Sequence, residues 1–459
     1  MPGYLHHPSS FRDPSGFVFQ IAGRNYRQVN KRYAENYELL MASGLYRSLT
    51  EKKLLIPHQE IQDNLTQSEE CYKILLPEQI FFISYVYEWS IDQLKDAALL
   101  TLRVLNLALE FGMILKDATP FNVQFREGRP VFIDTLSFEK YDPSKPWVAY
   151  RQFCESFLFP LYLSHYLKTD IQKILSAYLE GIPVDITAKL LPMKSSLNMG
   201  VWLHVYLQNN VKEDKSGVGA QGNFDKKKLE HLTAHLGSII DRIRLTGGPV
   251  SAWSNYYSET ILSGDYLREK EKLFRLFLAE TAYVTALDAG ANDGYFSQIL
   301  AGENREVIAI DMDNQCVNNL YRTVKKNNFK NILPLCVDLT NPTPAVGFRN
   351  AERQSFVERT RVDLVTALAL VHHLALGKNI PIADVAVFLG QLTGKYLIIE
   401  YVPPTDPKSR ELTKNKTSFH DYDEFLFESA FASLFVTEKK ETIEGTGRIL
   451  YRMRKINAQ

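Results

Sequence analysis

Beyond residue 283 the chain alternates between short apolar runs and stretches in which apolar residues recur with the period of a helix. Short apolar runs bounded by turn residues are typical of buried strands. Such runs predict five parallel strands, the first beginning at Thr285 and the others covering Glu306–Ile310, Ile332–Val337, Val362–Leu368 and Lys395–Ile399. The closing elements are a helix and an antiparallel hairpin, over Phe425–Ala432, Phe435–Glu441 and Arg448–Arg454. This alternation predicts an α/β fold built on a doubly wound sheet.

The first half of the chain has a different pattern, which predicts an α+β domain over residues 1–210. Two β-like runs come first, at Gly16–Ile21 and Asn25–Val29. Helical periodicity then follows at Arg32–Met41, Ile91–Phe111 and Trp147–Leu167. The apolar period disappears over Val211–Asn223, where charge, glycine and serine replace it, so we predict a linker at 211–225. A helical connector or lid over 226–282 then leads into the domain at 283–459.

Composition restricts the class of protein. A chain of 459 residues with 45% hydrophobic and 23% charged residues is typical of a globular protein with more than one domain. Lys+Arg and Asp+Glu both number 53, so no overall charge attracts nucleic acid or anionic lipid, and only a local basic patch could do so. The four cysteines are widely spaced and lack a CxxC pair, which argues against a zinc site or a disulfide framework. With no signal-peptide pattern and no apolar run of spanning length, we expect a cytoplasmic protein.

The first strand of the α/β domain leads into a loop that combines glycine with acid. Gly290 and Gly294 allow close backbone approach and a tight turn, and Asn292 lies between them. Asp288 and Asp293 flank this loop. Carboxylates there would repel the pyrophosphate of a dinucleotide. S-adenosylmethionine (SAM) has no phosphate and carries an ammonium group that Asp288 or the carbonyls of the loop could accept. The acidic loop therefore favours SAM over NAD.

The next two strands also end in acids. Asp311 follows the second strand, where a carboxylate accepts hydrogen bonds from ribose hydroxyls. Asp338 follows the third strand and is placed to accept from the adenine amino group, with Leu339 against the ring. Three successive strands that each end in an acid at one sheet edge predict a SAM-binding site.

Two histidines follow the fourth strand. The crevice of a doubly wound sheet lies beyond the carboxyl ends of its strands, which puts His372 and His373 beside the expected sulfonium. A histidine titrating near neutral pH would remove a proton from the methyl acceptor. The alternative is a histidine that orients the acceptor or holds the loop, and the sequence leaves both open. We place contacts with the acceptor at 348–353 and 403–410, and Trp253, Tyr256 and Tyr257 cover the pocket or belong to the core.

The first half carries a second pattern, similar to the catalytic segment of a protein kinase. Asp117 and Asn122 have the D-x-x-x-x-N spacing, and Asp134 lies where the metal-binding acid of a kinase stands. In an active kinase Asn122 and Asp134 would hold magnesium. However, no glycine-rich phosphate loop precedes this segment, and Arg27 stands where a lysine is expected. We therefore predict a degenerate kinase-like domain that positions a substrate or a protein partner. The sequence also leaves open that Asp117 and Asp134 only cap turns.

Long blocks along almost the whole chain resemble a bacterial family of SAM-dependent methyltransferases similar to the nodulation protein NoeA. The blocks are DPSGFVF (13–19), YRQVN (26–30), SGLYRSL (43–49), YEWSIDQLKDAALLTL (87–102), ILKDATPFNVQF (114–125), FIDTLSFE (132–139), PWVAYRQFCESFLFPL (146–161), LDAGANDGYFS (287–297), ALALVHHLAL (367–376) and IEYVPPTDP (399–407). The resemblance implies a class I methyltransferase with a Rossmann-like fold and an appended N-terminal domain.

The resulting hypothesis is methyl transfer from SAM to an oxygen or nitrogen atom of an acceptor that the sequence leaves open. A small molecule or saccharide is favoured over nucleic acid. Two alternatives remain, which are a phosphotransferase that uses Asp117, Asn122 and Asp134, and a SAM-binding scaffold without catalysis.

Overall fold

The chain forms two compact units. The computed structural model describes residues 3–210, 225–244 and 264–456. Contacts assign Met1–Pro249 and Ala345–Gln354 to the first unit, and Val250–Pro344 and Ser355–Gln459 to the second. The first unit therefore includes ten residues that follow the third strand of the α/β domain in sequence. The aromatic residues at 253, 256 and 257 lie outside the described residues.

The first unit begins with an antiparallel sheet in the order β1-β2-β3-β5-β4. Its strands, together with those of two small two-stranded sheets, are β1 (Leu5–His6), β2 (Gly16–Ile21), β3 (Arg24–Asn30), β4 (His58–Ile61), β5 (Cys71–Pro77), β6 (Met113–Leu115), β7 (Val123–Arg126), β8 (Arg129–Phe132) and β9 (Phe138–Lys140). Ala22 and Gly23 both have positive φ, which suits the tight hairpin between β2 and β3. The sequence pattern had predicted only β2 and β3.

The helices of the first unit follow the sheet. They are α1 (Ala34–Ala42), α2 (Leu45–Glu51), α3 (Ile91–Glu110), α4 (Tyr150–Phe153), α5 (Phe159–Leu167), α6 (Gln172–Ala177), α7 (Val184–Leu190), α8 (Met199–Val201), α9 (Gln208–Asn210) and α10 (Lys226–Arg242). Wider π turns at Cys154–Leu158 and Trp202–Leu207 join α4 to α5 and α8 to α9. Ser90 and Gln93 form a capping box at the start of α3, which satisfies donors that a helix leaves unpaired. A sheet, the long helix α3 and the β7–β8 hairpin after Asp117 follow one another along the first unit.

The second unit is a seven-stranded sheet with helices between its strands. Its elements are α11 (Gly264–Ala279), β10 (Thr285–Ala289), α12 (Tyr295–Leu300), β11 (Glu306–Asp311), α13 (Asn314–Asn327), β12 (Ile332–Cys336), α14 (Phe356–Arg359), β13 (Val362–Ala367), α15 (Ile382–Leu392), β14 (Thr393–Tyr401), α16 (Pro407–Thr413), α17 (Glu424–Ala432), β15 (Phe435–Thr442) and β16 (Ile449–Lys455). The strand order is β12-β11-β10-β13-β14-β16-β15. Strands β10 to β14 are parallel, and β16 pairs antiparallel with both β14 and β15.

This topology confirms the class I methyltransferase fold. Strand β10 lies at the centre and pairs with β11 on one side and β13 on the other, so the order reverses there. Ligands of doubly wound sheets bind at such a reversal, beyond the carboxyl ends of the strands. Buried side chains from α11, β10, α12 and β11 form the core beneath this edge, among them Phe274, Phe277, Ala286 and Phe296. The fold therefore puts the glycine loop and the histidines at the same end of the sheet.

Candidate functional site

The loop after β10 has the backbone conformation that its glycines predicted. Gly290, Asn292 and Gly294 all have positive φ, at 77°, 52° and 82°. The backbone N–H groups of Gly290 and Ala291 donate to the Ile310 carbonyl at 3.0 and 2.8 Å, which ties the loop to β11. A Cβ on Gly294 would lie 2.2 Å from a methyl carbon of Leu320, so glycine is required for the loop to pack on α13.

Asp288 lies under this loop with both carboxylate oxygens bonded. Ser297 donates to one at 2.6 Å and Thr366 to the other at 2.9 Å. Burial raises the pKa of Asp288 above its ordinary value, and these two hydroxyls oppose that rise. The sequence suggested Asp288 as an acceptor for the SAM ammonium. The geometry gives it a positioning role, because it links the start of α12 to β13 below the loop.

Asp311 joins the loop to the end of β11. Its carboxylate accepts from the backbone N–H of Asn292 at 2.8 Å and from that of Asp313 at 2.9 Å. Burial raises its pKa to about 6, while the two backbone bonds act in the opposite direction. Asp311 is therefore held against the glycine loop, at the position where the sequence placed the acceptor of the ribose hydroxyls.

The other predicted ligand residues lie along the same edge. Asp338 follows β12, and its Oδ1 accepts from both the N–H and the hydroxyl of Thr340, at 2.9 and 2.6 Å. Leu339 is half-buried beside it, and Asp293 is exposed on the glycine loop. The carboxyl ends of β10, β11 and β12 thus each present an acid at one edge of the sheet.

His372 and His373 follow β13, where His372 is buried and His373 is half-buried. Their ring centroids are 4.1 Å apart, and His372 is completely buried. Neither ring nitrogen of His372 has a hydrogen-bond partner. Burial, with a smaller contribution from nearby cations, lowers the pKa of His372 well below its ordinary value and that of His373 to about 4. The expected titration of His372 near neutral pH does not fit this environment, since a buried imidazole beside cations stays neutral.

A buried charged cluster lies close to His372, and sequence reasoning missed it. Lys270 on α11 contacts Glu400 at the end of β14 at 2.6 Å. Arg448 pairs with Glu400 at 3.3 Å and holds Asp406 through two bonds, at 2.8 and 3.1 Å. Tyr266 donates to Glu400 at 2.7 Å. We call these five residues the Glu400 cluster.

The sequence contained only weak signals for the Glu400 cluster. Lys270 lies in a helix rich in charge, EKEKLFR, whose lysines are indistinguishable by composition. Glu400 was recognised only as the end of a strand, and Arg448 as part of the closing hairpin. An acid that directly follows the apolar run YLII is the signal that could have directed attention to it. Tyr266 and Lys270 lie more than a hundred residues before Glu400, and Arg448 lies tens of residues after it. Local sequence patterns do not detect pairs that far apart.

In the first unit, Asp134 is engaged by protein donors. Arg27 on β3 pairs with its Oδ1 at 2.7 Å, and the Ser137 hydroxyl donates to its Oδ2. Asn122 donates to Ser137 at 3.0 Å. Burial raises the pKa of Asp117, and the neighbouring Asp134 carboxylate raises it further. The first unit thus keeps the D-x-x-x-x-N spacing of a kinase. However, the two carboxylate oxygens of Asp134 that were proposed to bind metal contact Arg27 and Ser137 instead.

Metal ligands are also scarce elsewhere. Within residues 3–210, 225–244 and 264–456, no group of three or more His, Cys, Asp or Glu side chains is arranged to hold a metal ion.

In the same ranges no helix combines the length and apolar character needed to cross a membrane.

One of the two segments proposed for acceptor contact belongs to the first unit. The Phe348 ring packs on Phe11 at 5.5 Å, and the Arg353 guanidinium lies 4.2 Å above Phe121. The hydroxyl of Tyr85 accepts from the backbone N–H of Gln354 at 3.2 Å. The segment at 345–354 is thus occupied by packing within the first unit. The segment at 403–410 stays in the second unit and supplies Asp406 to the Glu400 cluster.

Comparison with known proteins finds a relative along almost the entire chain. The nodulation protein NoeA of Rhizobium meliloti (strain 1021) is 32% identical over 454 residues, which cover 96% of this chain and 94% of that protein. No protein-family model matches. Solved structures with similarity include the N-methyltransferase NodS from Bradyrhizobium japonicum WM9, at 14% identity and a TM-score of 0.32, covering 42% of this chain and 99% of that one. The bifunctional kinase-methyltransferase WbdD matches at 15% identity and a TM-score of 0.29, over 41% of this chain and 38% of that one.

Proposed function

The chain belongs to the family of the nodulation protein NoeA, and on that premise we propose that its second unit binds SAM and transfers the methyl group to an acceptor oxygen or nitrogen. The observation that carries this proposal is the edge formed by three parallel strands. Asp288 lies near the end of β10, Asp311 ends β11 and Asp338 follows β12 there, around a loop with positive φ at Gly290 and Gly294. A cation with a ribose and an adenine, and without phosphate, suits this set of acids.

The binding roles follow from the contacts of each residue. Asp311 accepts from the ribose hydroxyls while it holds the loop through the Asn292 N–H. Asp338 and Leu339 contact the adenine, and the loop from Gly290 to Gly294 allows the backbone to approach the amino acid end. Asp288 positions the loop from beneath.

Bound SAM supplies a methyl group activated by its sulfonium. The protein aligns the acceptor with that methyl and excludes water from the crevice. His372 contributes as a neutral imidazole, because its buried ring has one donor and one acceptor nitrogen without protein partners. It orients the acceptor hydroxyl or amine, and we assign it no proton removal at neutral pH.

The acceptor is proposed to be a small molecule or a saccharide. Zero formal net charge gives the chain no general attraction for a polyanion. A saccharide or small molecule also fits a crevice at a sheet edge better than an extended polymer does.

The first unit is proposed to position a substrate or partner rather than to transfer phosphate. The Arg27–Asp134 ion pair supports this role, since it occupies a carboxylate oxygen that an active kinase reserves for magnesium. The competing function is a phosphotransferase that uses Asp117, Asn122 and Asp134.

Calorimetry on the full chain separates these functions. We expect SAM to bind, and ATP with magnesium to give no binding heat. Growth of a deletion strain and its parent with methyl-labelled methionine then identifies the acceptor as a labelled metabolite present only in the parent. Phosphate transfer from ATP would support the kinase alternative, and SAM binding without any labelled product would support the scaffold alternative.

A further inference from the structure

A strip of large apolar side chains is exposed on the first unit, away from the residues used so far. It spans α7, the turn at Met193–Leu197 and the helix from Met199 to Asn210, which pack on one another. Met193 and Leu197 are 91% and 90% exposed. The remaining members are Leu190, Met199, Trp202, Leu203 and Leu207. Contiguous exposed apolar surface of this kind marks an interaction site.

The charge of the strip favours one kind of partner. No acidic residue occurs in the sequence from Ile186 to Asn210, whereas Lys189 and Lys194 are both exposed. The exposed Asp185, in the first turn of α7, pairs with Lys189 at 3.6 Å. Exposed leucine, methionine and tryptophan beside lysines are typical of segments that lie in the interface of an anionic bilayer.

A cavity beside Met199 extends the same chemistry. It has a volume of about 320 Å³, and its walls include Tyr162, His165, Asn198, Met199, His235 and Arg242. None of the described residues that line it is acidic. The hydroxyl of Tyr162 is buried and has no hydrogen-bond partner. The cavity thus combines the guanidinium of Arg242, the hydroxyl of Tyr162 and the imidazoles of His165 and His235. These groups suit the phosphate of a lipid headgroup.

We propose that this strip attaches the protein to the surface of a bilayer that contains anionic phospholipid. Met193, Leu197 and Trp202 enter the interface, while Lys194 and Arg242 lie at the level of the headgroups. The attachment is peripheral, since no described helix could span a membrane. It is independent of methyl transfer, because it uses none of the residues assigned to SAM.

Vesicle flotation of the full chain tests the proposal. We expect the protein to float with vesicles of phosphatidylglycerol and phosphatidylcholine, and to stay unbound with phosphatidylcholine alone. The triple variant Met193→Ser, Leu197→Ser and Met199→Ser should bind more than tenfold more weakly, because it removes the apolar area that enters the interface. Lys194→Gln and Arg242→Gln should each weaken binding about fivefold, and added salt should act in the same direction.

A matched variant controls for the general loss of exposed apolar surface. Leu276, Val284 and Phe425 are exposed in the second unit, and their replacement by serine should leave flotation unchanged. An unchanged circular dichroism spectrum and melting temperature establish that each triple variant is folded. Absence of flotation with anionic vesicles, or an equal loss in both triple variants, would overturn the proposal. A third result would also overturn the proposal. In it, wild-type protein does not float but self-associates without lipid, as measured by sedimentation, and only the Met193, Leu197 and Met199 variant abolishes that self-association.

Discussion

Asp311 combines a structural task with the proposed task of binding ribose. Its position at a strand end could be predicted, because acids at that place in a doubly wound sheet accept ribose hydroxyls. Its burial and its bond to the Asn292 N–H could not, since both depend on how the loop folds back over β11. The same is true of His372, whose position was predicted and whose neutral state was not.

The pKa of Asp311 predicts how SAM binding depends on pH. Ribose hydroxyls donate to the charged carboxylate, so SAM binds the deprotonated form. With burial raising its pKa to about 6, affinity should be constant above pH 7 and should fall roughly tenfold per pH unit below 6. Calorimetry across this range measures the slope. Asp311→Asn should bind more weakly and without that slope, and a wild-type affinity that stays constant to pH 5 would contradict the prediction.

A different pH dependence is expected for the chemical step. Burial lowers the pKa of His372 well below its ordinary value, so the turnover rate at saturating SAM should show no histidine titration between pH 6 and 8. His372→Phe should lower turnover through lost orientation of the acceptor while SAM affinity stays within a few-fold. A wild-type rate that falls through pH 6.5, with the fall abolished in His372→Phe, would restore the general-base role.

At the scale of elements, prediction succeeded where periodicity was strong. The strands at 285–289, 306–311 and 332–336 lie within one or two residues of the expected bounds, because buried parallel strands form continuous apolar runs. Strands β4 and β5 were missed, since HQEI and CYKILLP are short and mix polar with apolar residues. Strand β5 pairs with β3, and β4 pairs with β5. Local patterns contain no information about that pairing.

The turn into α12 should depend strongly on Gly294. Gly294→Ala adds a methyl 2.2 Å from a Leu320 methyl carbon and also forces positive φ on alanine. Gly445→Ala is the matched control, because Gly445 has φ of +75° and open space around it. The control should cost about 1 to 2 kcal/mol of unfolding free energy, and Gly294→Ala should cost more and weaken SAM binding. Equal melting temperatures for the two variants would show that contact with Leu320 is unimportant.

The Glu400 cluster connects α11 with β14 and the segment before β16. Glu400→Gln should destabilise the second unit by about 3 to 5 kcal/mol, because it leaves buried Lys270 and Arg448 with less compensating charge. The double variant Glu400→Gln with Lys270→Met should recover part of that loss. Chemical denaturation measures the unfolding free energy of both variants. The transition that SAM shifts is the one that belongs to the second unit. A double variant no more stable than Glu400→Gln would show that the buried lysine charge is not the cause.

At the scale of the whole molecule, the sequence predicted domains at 1–210 and 283–459, joined by a linker at 211–225 and a helical connector at 226–282. Contacts divide that connector, since residues up to 249 belong to the first unit and those from 250 to the second. The sequence did not predict that residues 345–354 belong to the first unit. The segment AVGFRNAERQ has no strong period, and its anchors Phe11, Tyr85 and Phe121 are hundreds of residues away in sequence. Long-range packing of this kind leaves no local signal.

Asp134→Asn tests whether the two units have separate tasks. It removes the charge that pairs with Arg27, so the first unit should melt at a lower temperature. SAM affinity and methyl transfer to the labelled metabolite should stay within a few-fold of wild type. Arg27→Lys, which keeps a cation beside Asp134, is the control and should melt closer to wild type. Loss of methyl transfer in a folded Asp134→Asn protein would place the first unit in the active site.

The segment at 345–354 has a consequence for biosynthesis. The first unit needs residues that the ribosome makes about a hundred positions after Pro249. At roughly 5 to 20 residues per second, they emerge about 5 to 20 s after the rest of that unit. During this interval Phe11, Tyr85 and Phe121 lack the contacts that Phe348, Gln354 and Arg353 later provide. The nascent first unit is therefore incomplete during this interval, and a chain that stops at residue 249 would lack these contacts throughout its lifetime.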